Sequence, residues 1–454
     1  WRNWLPLDDS LQSELAEALV QQREMRAAVE LLEDLALRLP EEYLVRLRLA
    51  GLYERMNRLD EAEALLDMVV AEGAGADPDS HEAREIALQR ARLAERRREY
   101  AAARTLLETA GPRDDRSYGH WFTLAHACDR VGDTAAAMDA LQKAHALQIE
   151  AVKATDPKWF EQETDILPNQ NLRVHAADYA SWPVLEAPDA TQSPVFVVGF
   201  PRSGTTLLEQ MLDAHPQLQS MDERPFFNML AGQLENSTGF EVPRDLGRLD
   251  QRDCDELRKG YLVLACGKVP RRWNARLVDK NPLNMLWLPM IHRLFPAAKF
   301  IFALRHPCDV LLSNYMQNFV SKTLSVACAT LETLATTYVD AMNQWLYHVE
   351  LFKPDVFVSR YEELVADPVR QTRRIAEHLG LEDAERMLDF DRHALEKGFI
   401  ATPSYTQVIE PINRKGIGRW QRYREYLEPV LPILQPMLEH WQYAAESSAD
   451  AAGR

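Results

Sequence analysis

Long apolar runs are missing from this chain. No window of its 454 residues holds the run of about twenty apolar side chains needed to cross a bilayer, so no transmembrane segment is expected. Cysteine is scarce: Cys128, Cys254, Cys266, Cys308 and Cys328 are odd in number and form no C-x-x-C pair. That argues against a disulfide framework and for reduced thiols, hence for a cytoplasmic protein. Metal-ligand spacings are lacking as well. No H-x-x-x-H, H-E-x-x-H or EF-hand pattern occurs, so no metal is expected. Positive charge is outweighed, with 52 Lys and Arg against 69 Asp and Glu and a net charge of −17, which disfavours nucleic acid as a partner. The first residue is Trp1 rather than methionine, so removal of a leader stays open.

What remains is an ordinary folded composition, 46% hydrophobic and 27% charged, in a chain too long for one core. The first 150 or so residues show almost no strand signal, and they repeat. Ala28, Ala62, Ala103 and Ala137 recur at intervals of 34, 41 and 34 residues, the middle one lengthened by the loop G-A-G-A-D-P-D. Four residues after each alanine stands a leucine (Leu32, Leu66, Leu107, Leu141), and twelve before each a small residue (Ala16, Ala50, Ala91, Ala125). The last unit is clearest, with Trp121, Leu124, Ala125, Ala137, Leu141 and Ala144 where a tetratricopeptide unit wants them. Small residues let paired helices approach closely, and large ones fill the space between units. The pattern predicts an all-α helical repeat solenoid over 1–155. Its concave groove suits a peptide, and it serves equally as a spacer or a homodimer surface.

A loop-rich linker is expected over 156–192, then an α/β domain over 193–445 and a short tail over 446–454. Strands are expected at Val195–Phe200, Arg276–Asp279, Lys299–Leu304 and Asp355–Ser359. Each is followed by a helical pattern: Thr206–Asp213, Asn284–Leu294, Val310–Phe319 and Val369–Leu379. Short apolar runs alternating with helices imply a central parallel sheet covered on both faces. In such sheets ligands sit at the C-terminal strand ends, where this chain collects Arg202–Thr206, Lys280, Arg305 and Arg360–Tyr361.

The segment V-F-V-V-G-F-P-R-S-G-T-T carries the most information. A glycine-containing turn between a strand and a helix N-terminus offers backbone N–H groups and a dipole end to an anion. Gly199 and Gly204 have P-loop separation, yet Thr205 stands where a Walker loop has its phosphate-reaching lysine. With Arg202 inside the loop, the turn suits one short 5′ anion such as a phosphosulfate. A P-loop kinase would need that lysine and a magnesium carboxylate, for which Asp279 is the candidate. A repeat scaffold whose nucleotide domain no longer turns over is a further alternative.

From Pro194 to Trp441 the chain resembles sulfotransferases that use 3′-phosphoadenosine-5′-phosphosulfate, most of all the tyrosylprotein sulfotransferases. With its repeats it also resembles bacterial sulfotransferases of that architecture. The resemblance implies a P-loop NTPase-like sulfotransferase fold and specific roles. Arg202, Ser203, Gly204, Thr205 and Thr206 would wrap the 5′-phosphosulfate. Arg305 and Ser313, in L-R-H-P-C-D-V-L-L-S-N-Y, would grip the 3′-phosphate, as a planar guanidinium does well. Glu223, in S-M-D-E-R-P, matches the general base; His215, a rival base in D-A-H-P, is read as a structural residue at a helix end. Lys280, in V-D-K-N-P, would neutralise the bridging oxygen, and Tyr361 would contact the nucleotide. In P-S-Y-T-Q-V-I-E-P-I-N-R-K-G-I-G-R-W, Ser404 would stand near the leaving phosphate, with Arg414, Lys415, Gly416 and Arg419 as a basic lid. Gln317 and Glu410 depart from the tyrosylprotein pattern, which has an arginine and a lysine there. The resemblance implies in-line transfer, assisted by Glu223, Lys280, Arg202 and Ser404 and without metal, releasing adenosine 3′,5′-bisphosphate. The acceptor stays open: a peptide or protein tyrosine, or else a carbohydrate, lipid or small phenol.

Overall fold

The structure is a computed structural model and describes residues 8–21, 24–161, 165–189, 192–221, 223–267, 272, 274–397 and 412–444. They form two compact units, one drawn from Trp1–Pro157 with Met316–Val320, the other from Lys158–Tyr315 with Ser321–Arg454.

In the first unit helices follow one another in pairs: α1 (Asp9–Gln21) and α2 (Met25–Arg38), α3 (Tyr43–Arg55) and α4 (Leu59–Ala71), α5 (His81–Arg96) and α6 (Tyr100–Ala110), α7 (Tyr118–Val131) and α8 (Thr134–Thr155). Ala16, Ala50, Ala91 and Ala125 lie on the first helix of each pair and Ala28, Ala62, Ala103 and Ala137 on the second, all buried. The four following leucines are buried too. Each repeat position is therefore a contact position: an alanine at the crossing lets two backbones close, and the leucine a turn later fills the next gap. Helix starts are set locally; Ser80 Oγ accepts from Ala83 N at 3.1 Å before α5, and Asp133 Oδ1 from Ala136 N at 3.0 Å before α8. The expected solenoid is present. Val20, Leu44, Leu52, Arg48, Arg55 and Arg92 are among the residues lining a groove of about 520 Å³ within it.

The second unit is built on a parallel five-stranded sheet: β1 (Val195–Gly199), β2 (Leu218–Ser220), β3 (Arg276–Lys280), β4 (Lys299–Leu304) and β5 (Asp355–Arg360), in the order β2-β3-β1-β4-β5. Four strands fall where the sequence puts them. β2, only three residues long, is too short to announce itself against the propensity of a turn. Successive side chains of a strand point to opposite faces, and both faces are covered. Val195, Val197 and Ile301 pack with Leu208, Met211 and Leu212 of α9 (Thr205–Asp213). On the other side Phe302 stacks on Trp345, 4.9 Å between centroids, and Phe196 on Phe300 at 5.4 Å.

The chain runs from β1 outward to β2, but from β4 outward to β5 on the other side. The crevice above β1 and β4 is thus the topological switch point, where open α/β sheets bind ligands. The helix after β4, α10 (Pro307–Tyr315), ends four residues before the Phe319 expected from sequence. Met316–Val320 belongs to the first unit, where Gln148 Nε2 donates to Phe319 O at 3.0 Å. Gln317 lies in that segment. After β5 come α11 (Tyr361–Ala366) and α12 (Pro368–Leu379).

Candidate functional site

β1 ends in a turn whose shape glycine permits. Gly199 has φ +151°, and a Cβ there would lie 2.5 Å from Ala303 O, its partner across the β1–β4 ladder. Gly204, at the N-cap of α9, has φ +97°, and a Cβ would lie 2.6 Å from Cδ2 of Tyr361. A side chain at either position would push the turn off β4 or off the tyrosine. Between them Arg202 takes φ +69°, uncommon for a residue with a Cβ. Ser203, Thr205 and Thr206 are buried at the helix start, where backbone N–H groups are unpaired within the helix.

The loop is held from β4 and α10. Asn314 Nδ2 donates to Pro201 O at 2.8 Å, Arg305 Nη1 to Arg202 O at 3.0 Å, and Arg202 Nε to Ser313 Oγ at 3.1 Å. The Arg305 guanidinium lies 4.9 Å from the Tyr361 ring centroid, and its Nη2 also donates to Gly416 O. Burial, with Arg305 and Arg419 nearby, lowers the Arg202 guanidinium to about 10, Glu223 partly opposing; it remains charged at neutral pH. Burial raises the Tyr361 phenol above its usual value, against the pull of Arg305. Gly418 N and Trp420 N donate to the two oxygens of Asp309 at 2.8 and 2.9 Å, which fastens the chain after Gly416 to the start of α10.

At the end of β3 the fully buried Lys280 places Nζ 2.7 Å from Glu223 Oε1 and 3.0 Å from Glu209 Oε2. Burial disfavours its charge, but Glu209 and Glu223 together hold its pKa above the usual lysine value. Glu209 is buried as well and accepts from Ser220 Oγ through its other oxygen. Glu223 keeps about a quarter of its side chain exposed. The neighbouring Asp279 points elsewhere: it accepts from Tyr261 Oη at 2.7 Å and Asn284 Nδ2 at 3.0 Å, and burial pushes its carboxyl up to about 7. Its oxygens are engaged in the interior, a poor arrangement for the magnesium ligand of a kinase.

Arg202, Ser313, Arg305, Tyr361 and Gly416 thus form one connected group, and Glu223 and Lys280 a second. Arg202 joins them, since its guanidinium feels the Glu223 charge. Arg419 is half-buried, whereas Arg414 and Lys415 are exposed. Ser404 and Glu410 lie outside the described residues. His215 closes the turn after α9, with Nε2 2.7 Å from Glu382 O and Nδ1 accepting from Gln217 N at 3.2 Å. Sequence reading missed Glu209, Asp309 and Asn314. Glu209 left one trace, a charged residue among the apolar positions of L-L-E-Q-M-L.

Residues 194–385 match the Sulfotransferase family, and residues 19–85 match the Tetratricopeptide repeat. The chain therefore carries a sulfotransferase-family domain, a class of transferases, preceded by tetratricopeptide repeats. It is 31% identical over 255 residues to an uncharacterized protein of Aquifex aeolicus, a match spanning 54% of this chain and 32% of that protein. To protein-tyrosine sulfotransferase 1 of Danio rerio it is 26% identical, over 57% of this chain and 75% of the relative. The human protein of that name is also 26% identical, over 50% and 62%. Among solved structures, the sulfotransferase domain from the Synechococcus PCC 7002 olefin synthase is 20% identical, with 58% of this chain and 100% of that one covered and a TM-score of 0.36.

Proposed function

We propose that the second unit transfers a sulfuryl group from 3′-phosphoadenosine-5′-phosphosulfate to an acceptor hydroxyl. The observation that carries this reading is the convergence of Arg202, Arg305 and Lys280 on one crevice with a partly exposed carboxylate, Glu223.

The residues present fit such a nucleotide. Arg305 Nε is buried without a hydrogen-bond partner, so its guanidinium has a donor to give. A Cβ on Gly416 would lie 3.2 Å from Arg305 Nη2 and from Tyr361 Oη, so glycine leaves these two side-chain ends room to face a ligand. Arg305, Ser313 and Gly416, with Arg414, Lys415 and Arg419, would hold the 3′-phosphate; Arg202 to Thr206 and Tyr361 would hold the 5′ end. The nucleotide supplies the sulfuryl group and leaves as adenosine 3′,5′-bisphosphate.

Glu223 takes the acceptor proton as the acceptor oxygen bonds to sulfur and the bond from sulfur to the bridging oxygen breaks. Lys280 and Arg202, with Ser404, offset the charge that grows on that oxygen. Fixed cations aimed at developing charge need no reorganisation during the step. A peptide or protein tyrosine is the acceptor we favour, on the names of the relatives and on the groove in the repeats. We further propose cytoplasmic residence, on the scarcity of cysteine, and the boundaries 1–155, 156–192, 193–445 and 446–454.

The test is calorimetric titration with adenosine 3′,5′-bisphosphate, with ATP and magnesium as control. Binding of the bisphosphate that Arg305→Ala abolishes is the expected result. A preference for ATP overturns the reading in favour of a P-loop kinase. An acceptor screen with tyrosine peptides, carbohydrates, lipids and phenols follows.

A further inference from the structure

Glu209 has no task in the reading above, and its place is costly. It lies on α9 between Leu208 and Met211, which face the sheet core, and its side chain is fully buried. A buried carboxylate is tolerated when it is paired and hydrogen-bonded. Both conditions are met: Oε2 lies 3.0 Å from Lys280 Nζ, and the Ser220 hydroxyl donates to Oε1. Among the described residues, the charged groups around the Lys280 ammonium include Glu209 from α9, Glu223 beyond β2 and Asp279 beside it on β3, and the Glu223 charge also acts on Arg202. The ammonium therefore sits between an inner carboxylate sealed from water and an outer one that water reaches.

The two carboxylates are not equivalent during transfer. When Glu223 takes the acceptor proton it becomes neutral, and the buried lysine loses one of its counter-charges. That is also when a cation is needed at the bridging oxygen. We infer that Glu209 is a positioning residue, which keeps Lys280 protonated and in place while Glu223 is neutralised. The inference rests on the proposed transfer reaction and adds the residue that sustains its cation.

Glu209→Gln preserves shape and removes the charge. Burial then acts on Lys280 with one carboxylate fewer, so its proton is lost at lower pH. The expected result is a kcat reduced by about tenfold or more, a nucleotide KM changed less than about threefold, and an alkaline limb of kcat moved to lower pH. Glu209→Asp keeps the charge, so its alkaline limb stays near the wild-type position. A fall in kcat with the limb unmoved would reduce Glu209 to a packing role and overturn the inference, as would full activity of Glu209→Gln.

A readout without turnover separates this from failure of the reaction itself. In thermal melting, Glu209→Gln should lower the midpoint of the wild type and leave unchanged or raise that of Lys280→Met, where the carboxylate has lost its partner. Equal effects in both backgrounds contradict the pairing. A wild type that moves no sulfuryl group, with the melting cycle as expected, refutes the proposed function and leaves a structural ion pair.

Discussion

The Nε of Arg202 donates to the Oγ of Ser313 at 3.1 Å across 111 positions of sequence. One residue lies in the turn after β1, the other near the end of the helix after β4. Their contact joins the two parts of the crevice that we propose for the two ends of the nucleotide, so the loop and the helix form one surface. Arg305 strengthens the link by donating to the carbonyl of Arg202 at 3.0 Å. Preformed donors of this kind reduce the ordering needed when a ligand arrives.

Replacing Glu223 by alanine separates chemistry from binding. The expected outcome is loss of sulfuryl transfer by about 10²–10⁴-fold, the usual worth of a general base, with bisphosphate affinity nearly intact. Single-turnover assays and calorimetry on the same preparation measure the two quantities. Equal loss of both sinks the assignment of Glu223 as base.

Asp279 links folding to pH. Its carboxyl is raised to about 7 by burial, whereas in the unfolded chain it titrates at about 4. Between those values the folded state holds a proton that the unfolded state has lost, so this group lowers stability as pH rises from about 4 to about 7 and adds no further change above that. Asp279→Asn removes the effect. Asn284 Oδ1 is buried without a partner, so a turned Asn284 amide accepts from the new carboxamide. Melting curves at pH 5 and pH 8 should lie closer together in the variant than in the wild type.

Gly204→Ala tests the turn. Its left-handed backbone costs an alanine roughly 1–2 kcal/mol, and its Cβ meets the Tyr361 ring at 2.6 Å. We expect a lower denaturant midpoint together with weaker bisphosphate binding. Unchanged affinity would show that the turn tolerates displacement from Tyr361.

Asp309 fastens the segment after Gly416. Asp309→Ala removes both acceptors of the Gly418 and Trp420 N–H groups, each a charge-assisted bond of about 1.5–3 kcal/mol. Bisphosphate dissociation, followed by stopped flow, should accelerate by at least about tenfold. An unaltered rate would mean that this segment does not hold the nucleotide.

Much of the architecture was legible because it repeats or alternates. The alanine and leucine spacing marks the helix pairs, since each recurrence is a packing position. β1, β3, β4 and β5 are apolar runs long enough to show, whereas three-residue β2 is not. The overextended Val310–Phe319 helix failed for a different reason. Its pattern continues past Tyr315, but Met316–Val320 packs with the first unit, a long-range preference that local periodicity does not carry.

By itself the sequence determined the kinds of element, the order of all strands but β2, and the strand–turn–helix at Arg202 that we propose as the anion site, because these depend on neighbours along the chain. Tertiary structure decided which ionisable groups meet. Glu209, Glu223 and Lys280 come from a helix, a loop and a strand, and only the parallel pairing of β2 with β3 and the packing of α9 on the sheet bring both carboxylates within 3.0 Å of the Lys280 ammonium. Burial there turns an unremarkable helix glutamate into the inner partner of a lysine, since the strength of a charge pair depends on the water excluded around it.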